Sequence, residues 1–337
     1  MRLFGKKDPA PPVHPISAFW EWWVRQGHTI DPHQNSQDVE QLSQRVAAID
    51  PGLTWHFGSG STAEHRLTVS AGGTAEVRPA AQRWLRAAPQ PDATWEFRSS
   101  LEADPNALRQ VLEIAGSKLD LSKTEFRVEP ARQELRVHVG VHHPLFPGLP
   151  ETARLQVTFL VLDWLLGEDD VGRWLGHVEA LEAAPVGTID GDGLLRAVES
   201  IAAQHDPDMW TLSQWEDSNG TPAFASFRRA LRWIDHPTLD MHHGVHAGFE
   251  AQNNGLPADG AVLDSLRRLE DELESLLGSR GVLVGHETTS GRRTFHVYTD
   301  GEDQNVTAGL ADWARSRHLA IEPTHDPAWR QVRQFTG

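Results

Sequence analysis

The chain has 337 residues, 23% of them charged and 39% hydrophobic, enough for two or three domains with ordinary cores. It has no cysteine, which excludes disulfides, thiolate metal ligands and a cysteine nucleophile, and which suits a reducing cytoplasm. A formal net charge of −16, only four lysines (Lys6, Lys7, Lys118, Lys123) and no basic run argue against nucleic acid as a partner, although the many arginines can still build a local basic face.

Residues 1–14 read as a disordered tail. They hold two lysines but no apolar stretch of signal-peptide length. No run reaches the roughly 18 apolar residues of a membrane span; the best, from Val157 to Leu166, is broken by Asp163. A cytoplasmic protein with no membrane contact is expected.

Ser17 is the expected cap of a short helix carrying Phe19, Trp20, Trp22 and Trp23, stopped by Gly27. The four aromatics cannot all face one side of a helix, so one or two are expected to be exposed or to meet another domain. Val39, Leu42, Val46 and Ile49 predict a second helix from Gln37 to Ile49. A hairpin follows, Leu53 to Phe57 and His65 to Ser70, with the Gly58-Ser59-Gly60-Ser61 loop between, then a helix near Val77 to Ala88 and a strand at Thr94 to Phe97.

The middle predicts a helix from Asn106 to Ile114, strands at Thr124 to Val128 and Leu135 to Val141, and helices at Glu151 to Leu166, Val171 to Leu181 and Gly193 to Ala203. The C-terminal third opens with a hairpin, Trp210 to Trp215 and Pro222 to Phe227, turning at Asp217-Ser218-Asn219-Gly220. It continues with strand Leu239 to Phe249, helix Ala261 to Leu277, strands Val282 to Gly285 and Arg293 to Thr299, helix Val306 to Arg315 and strand Leu319 to Glu322. These last six elements spell βαββαβ.

The expected fold is therefore α+β, built from ferredoxin-like split βαβ modules, mainly antiparallel sheets with helices packed on one face. Gln204-His205-Asp206-Pro207 marks a boundary between an N-terminal α+β region, 15–205, and a C-terminal domain, 206–337; the first region divides further into 15–100 and 101–205. An offset of 229 maps Leu53 onto Val282, Gly72 onto Gly301 and Trp84 onto Trp313, so a hairpin, a glycine stop and a Trp-bearing helix recur in register.

From Trp210 to about Phe335 the chain resembles the bacterial family called domain of unknown function 695. The resemblance rests on Leu266-Arg267-Arg268-Leu269-Glu270-Asp271-Glu272-Leu273, Val284-Gly285-His286-Glu287-Thr288-Thr289, Gly291-Arg292-Arg293-Thr294-Phe295-His296-Val297-Tyr298 and Asp326-Pro327-Ala328-Trp329. The N-terminal part, with Phe19-Trp20-Glu21-Trp22 and Leu162-Asp163-Trp164-Leu165-Leu166-Gly167-Glu168, is similar to uncharacterised bacterial proteins. More distantly, the C-terminal module resembles the family of the regulator of ribonuclease E activity B, non-enzymatic inhibitors. None of these resemblances implies a catalytic residue or a cofactor.

Two constellations could carry chemistry. The segment Asp235-His236 to His246 is rich in histidine, and on a helix His242 and His246 would share a metal. The alternation Leu239, Met241, Val245, Ala247, Phe249 argues for a strand instead, which spaces those two histidines about 13 Å apart at about 3.3 Å per residue. On the neighbouring strand of a split βαβ sheet, His296 and Tyr298 would come within about 5 Å, so His242, His246, His296 and Tyr298 form a candidate sheet-face patch, as an interaction face or, more weakly, a metal site.

The second constellation, Thr188 to Glu199, places Asp190, Asp192 and Glu199 near calcium-loop positions, but Thr188 stands where a carboxylate is needed, and the alternative is a capped helix. Asp163, Glu168, Asp169 and Asp170 gather in an acidic stretch. No serine-hydrolase elbow, phosphate-loop lysine or zincin His pair is present.

The leading expectation is a non-enzymatic cytoplasmic interaction or regulatory protein that binds another protein through its sheet faces and acidic surface, with a homodimer compatible and no cofactor. The alternatives are a metal-dependent enzyme using the His/Tyr patch or the acidic 163–192 stretch, and a regulator of RNA metabolism.

Overall fold

The computed structural model describes residues 14–32, 37–104, 106–114, 117–216 and 220–336. The expected tail therefore lies outside the described residues except for His14, as do Asp217 to Asn219 of the hairpin turn. The chain divides at Ser100/Leu101 into two compact units.

In the first unit the Trp-rich segment forms α1 (Pro15–Arg25). Pro15 sits in its first turn, where a missing N–H costs nothing, and the His14 imidazole accepts from the Ile16 amide, so the cap is His14 and not Ser17. All four aromatics of α1 are buried. Phe19, Trp20 and Trp23 point into a core with Trp84, Trp95 and Phe97, where Trp20 stacks on Trp84 at 4.8 Å and Trp23 meets Trp95 edge-on at 5.1 Å. Trp22, off that face, is covered by α2 (Gln37–Ile49), whose Arg45 lies 4.8 Å over its ring. A second helix thus removes the exposure that one helix face could not.

Strands β1 (Thr54–Ser59) and β2 (His65–Ser70) pair antiparallel; α3 (Arg78–Arg86) then crosses to β3 (Trp95–Arg98), parallel beside β2. The hairpin loop is organised from below by Glu96, which is 1% accessible. Its carboxylate accepts from the amides and hydroxyls of Ser61 and Thr62 and pairs with Arg66 at 2.9 Å and Arg98 at 3.5 Å.

The second unit begins with a correction. Residues 106–114, expected as a helix, form a single 3-10 turn at Ala107–Arg109 and then β4 (Val111–Ile114), paired with β5 (Ser117–Asp120). A short apolar run with β-branched residues at both ends fits either period, and the antiparallel partner decides it. Next come β6 (Glu125–Ala131), β7 (Arg136–His142), α4 (Glu151–Leu166) and α5 (Glu168–Trp174). Gly167 separates the two helices at φ 85°, a conformation that favours glycine.

The expected helix at 171–181 stops at Trp174 and continues as β8 (Leu175–Leu181), parallel to β7. Open edge hydrogen bonds on β7 outweigh local helix preference there, and the bare Cα of Gly176 lets His138 lie close enough to accept from the His177 amide at 3.0 Å. Helix α6 (Gly191–Ala202) packs against β6 and β7. The plan of β6–β7–helix–β8 matches that of β1–β2–α3–β3.

Residues 206–337, expected as a separate domain, belong to the same unit as 101–205. Arg173 on α5 donates to Asp235 at 2.6 Å, and His205, edge-on to Trp174, bonds the Ala230 carbonyl. This part holds β9 (Trp210–Glu216), β10 (Pro222–Arg228), β11 (Met241–Gly248), α7 (Gly260–Leu277), β12 (Gly281–Thr289), β13 (Arg292–Thr299), α8 (Gln304–Ser316) and β14 (Ala320–His325).

The six strands form one antiparallel sheet, ordered β14-β11-β13-β12-β10-β9. Numbered within the βαββαβ run, the strands lie 4-1-3-2, so each helix joins two strands with one strand between them. The molecule is α+β. The offset of 229 reproduces hairpin and helix but not the sheet, because β3 pairs directly with β2 whereas β11 separates β13 from β14. Trp84 is fully buried; Trp313 is partly exposed and bonds Glu272 through Nε1 at 3.1 Å.

Helices α7 and α8 cover one sheet face with Leu266, Leu273 and Leu310 against Val245, Phe295 and Val297. The other face, expected to be open, is covered in its central part by the chain's last described residues. Trp329, Val332 and Phe335, with Leu231, close over Tyr298, Phe227 and Val284. Among the described residues, no helix is long and apolar enough to cross a membrane.

Candidate functional site

Antiparallel register places His242 opposite Tyr298, Gly244 opposite His296 and His246 opposite Thr294, so all four expected residues share the face turned away from α7 and α8. Three of them converge. His242 Nε2 lies 3.1 Å from His296 Nδ1, with one proton shared between the two rings, and the His242 and Tyr298 rings are 5.0 Å apart. His246 turns to Thr294 Oγ1 at 3.0 Å and lies 3.6 Å from Glu322 on β14. His243, one residue out of phase, enters the helix-side core and bonds Thr299 at 2.9 Å.

The face is a core, not a surface. His242, His296 and Tyr298 are all buried. Phe335 covers His296 edge-on at 5.7 Å, and Trp329 stacks on Tyr298 at 4.4 Å and on His236 at 5.8 Å. The Tyr298 hydroxyl donates to Asp326 at 2.6 Å, and the same carboxylate accepts from the amides of Arg330 and Gln331, fixing the turn that brings Trp329 over the sheet. The expectation of an interaction face is corrected for His242, His296 and Tyr298, which are buried, whereas His246 is half-buried: the sequence could not show that residues some thirty to ninety positions onward fold back over the first three.

Burial pushes the imidazoles down, His242 to about 4 and His296 to about 3, with the neighbouring imidazoles adding to the fall at His296. Both are neutral near pH 7. An imidazole whose folded pKa is below its unfolded value of 6.5 contributes fully above that value and loses its contribution as the pH falls toward the folded one. Between about pH 7.5 and about pH 5 each should therefore cost about 2 kcal/mol of stability. Urea unfolding of the second unit at the two pH values measures this, and His242→Gln/His296→Gln should flatten the dependence even if its overall stability is lower.

Among the described residues, no group of three or more His, Asp or Glu side chains could hold a metal ion. The weak ligand candidates are dispersed: His242 and His296 bond each other, and His246 bonds Thr294. Asp190 caps α6, accepting from the Gly193 amide at 2.9 Å. Because the helix starts at Gly191, Asp192 and Glu199 stand about 10 Å apart along its axis and do not wrap one point. In the acidic stretch Asp163 is pushed up to about 7 by burial and then by the charge of Glu168, whose own carboxylate accepts from the Leu101 amide.

Two features lay outside the expected sites. A cavity of about 620 Å³ in the second unit is lined by Arg136, Arg232, Arg330, Arg333, Glu134 and Trp329, among others. Its arginines come from three segments distant in sequence, so no local motif announces them; the signal was only the preponderance of arginine over lysine. The second feature is the outer strand β9, whose Leu212 is 71% exposed, with Trp210 and Trp215 more than a third exposed. No family model matches the chain, and no curated protein or solved structure is similar to it.

Proposed function

We propose that this chain is a non-enzymatic cytoplasmic protein-interaction or regulatory protein, and that β9 is where an extended segment of a partner protein adds to its sheet. The observation that carries the reading is the contrast between the two sheet edges. At one edge, β14 carries Pro323 and Glu322, which block or repel an added strand. At the other, β9 runs for seven residues with no proline or lysine and a single charge, Glu216, and exposes Trp210, Leu212 and Trp215. Proteins that do not use an edge blunt it, and a bare apolar edge is the substrate of strand addition.

Support for a non-catalytic role comes from the titratable groups expected to act, which are tied into the fold as caps and core. The cysteine-free composition accords with the cytoplasm.

The test places the photoreactive residue p-benzoylphenylalanine at position 212 of the full chain in living bacterial cells and maps the adducts by mass spectrometry. The reading expects crosslinks to an extended segment of another protein, lost when Trp210→Lys and Trp215→Lys are combined. Adducts only to a second copy would replace the partner with a homodimer. An absence of adducts would sink the proposal.

A further inference from the structure

The sheet face that α7 and α8 cover is not filled out to its last strands. A cavity of about 440 Å³ lies between the start of α7, at Gly260 and Leu263, and the strands β10 and β12. Strand register explains its lining. Arg293, Thr288 and Phe224 form one row across β13, β12 and β10; His286, Ser226 and Leu212 form the next, across β12, β10 and β9. Arg293 keeps the phase of Phe295 and Val297, which pack beneath the helices, so both rows face the helix side.

A cation at such a position runs against the pattern of a core. Arg293 is only 5% accessible. Its Nε donates to Thr288 Oγ1 at 2.9 Å, and its two Nη groups have no hydrogen-bond partner among the described residues. Glu270 on α7 attracts the guanidinium from beyond ion-pair distance, since its carboxylate is turned to His286, 3.4 Å from Nδ1. Burial accordingly lowers the Arg293 pKa despite that attraction. Buried donors left unpaired cost stability, and a ligand that accepts from them recovers the cost.

The remaining polar groups of the lining are largely committed to the fold. Gln252 donates to the carbonyls of Pro257 and Ala258, at 2.9 and 3.3 Å, and Asp259 caps α7 by accepting from the Val262 amide at 3.0 Å. Beside them the walls are apolar, with Leu212, Phe224, Leu256 and Leu263. One inward cationic fork in an apolar hollow is the arrangement of a site for a ligand with a single charged end.

We infer that this cavity binds a monocarboxylate carrying an apolar chain of medium length, its carboxylate accepting from the Nη groups of Arg293 and its chain lying along Leu212, Phe224, Leu256 and Leu263. A guanidinium fork matches the two oxygens of a carboxylate in geometry and charge. Leu212 also belongs to the exposed strand β9, but Arg293 sets this site, which needs no added strand and stands or falls apart from the β9 reading.

Isothermal titration calorimetry of the full chain with octanoate and, separately, with 1-octanol tests it. Octanoate should bind saturably at one site, about tenfold or more tighter than the alcohol, which offers the same chain without the charge. Arg293→Gln should weaken octanoate about tenfold or more, whereas Arg315→Gln, at an exposed arginine on α8, should bind as the parent does. Thermal melting without probe shows whether Arg293→Gln folds. If it does not, Leu263→Glu carries the test: the site is half-buried near the start of α7, where the helix dipole favours an acid, and the new carboxylate should repel octanoate. Heats that fail to saturate with octanoate, equal affinity for octanol, or undiminished octanoate affinity in the folded variant that carries the test overturn the inference.

Discussion

Replacing Trp329 with alanine should destabilise the second unit by about 3–5 kcal/mol, the range for truncating a large buried aromatic. The indole is 2% accessible, stacks on Tyr298 and His236, and donates from Nε1 to the Leu239 carbonyl at 2.8 Å. Nothing nearby can collapse into its volume without pulling Val332 and Phe335 off the sheet. The loss should also reach the histidines: as water returns to His242 and His296, their NMR-detected pKa values should climb toward the ordinary imidazole range. Trp329→Phe, which keeps a ring on Tyr298 and loses the Leu239 bond, should cost only about 1 kcal/mol. Chemical denaturation followed separately for the two units measures all three effects, and an alanine cost below about 1 kcal/mol would show that the cover contributes little.

The second large effect lies in the first unit. Glu96→Gln should cost about 3 kcal/mol, since it leaves Arg66 and Arg98 without their counter-charge and replaces charge-assisted bonds with neutral ones. Glu96 is shielded by the loop it holds rather than sunk deep in the core. Burial raises its pKa, but the amides of Ser61 and Thr62, with Arg66 and the Thr62 hydroxyl, together outweigh burial and hold the carboxyl well below the usual range. Its contribution is therefore complete above the unfolded value of 4.5 and drains away as the pH falls toward the folded one. Tryptophan fluorescence of the first unit, titrated from neutral to acid, should show that fall in the parent and a flatter profile in Glu96→Gln. Equal midpoints would refute the assignment.

Local patterns carried most of the architecture. Alternation in β11 and β13, the Gly58 to Ser61 loop and the helical spacing of α2, α4, α7 and α8 were legible because each is settled within some fifteen residues. Where the sequence misled, a distant partner decided the outcome. Residues 106–114 became a strand because β5 was there to pair, and 175–181 because β7 offered an open edge. The candidate patch was legible in composition and register but not in exposure, since a short segment with no periodicity of its own supplies the cover. Glu96 and the arginine cavity were invisible for the same reason: their meaning lies in partners up to two hundred positions apart.

Ninety residues separate Leu239, which enters β11, from Trp329, which closes over it. Translation delivers them in that order, so a nascent chain can form the hairpins and even pair the whole sheet while its polar-aromatic face is still bare. The first unit, whose internal contacts are confined to its one hundred residues, has no such wait. Completion of the second unit is therefore gated by the arrival of residues 326–335, and a chain truncated just before them would present the central polar-aromatic face of the sheet without its cover.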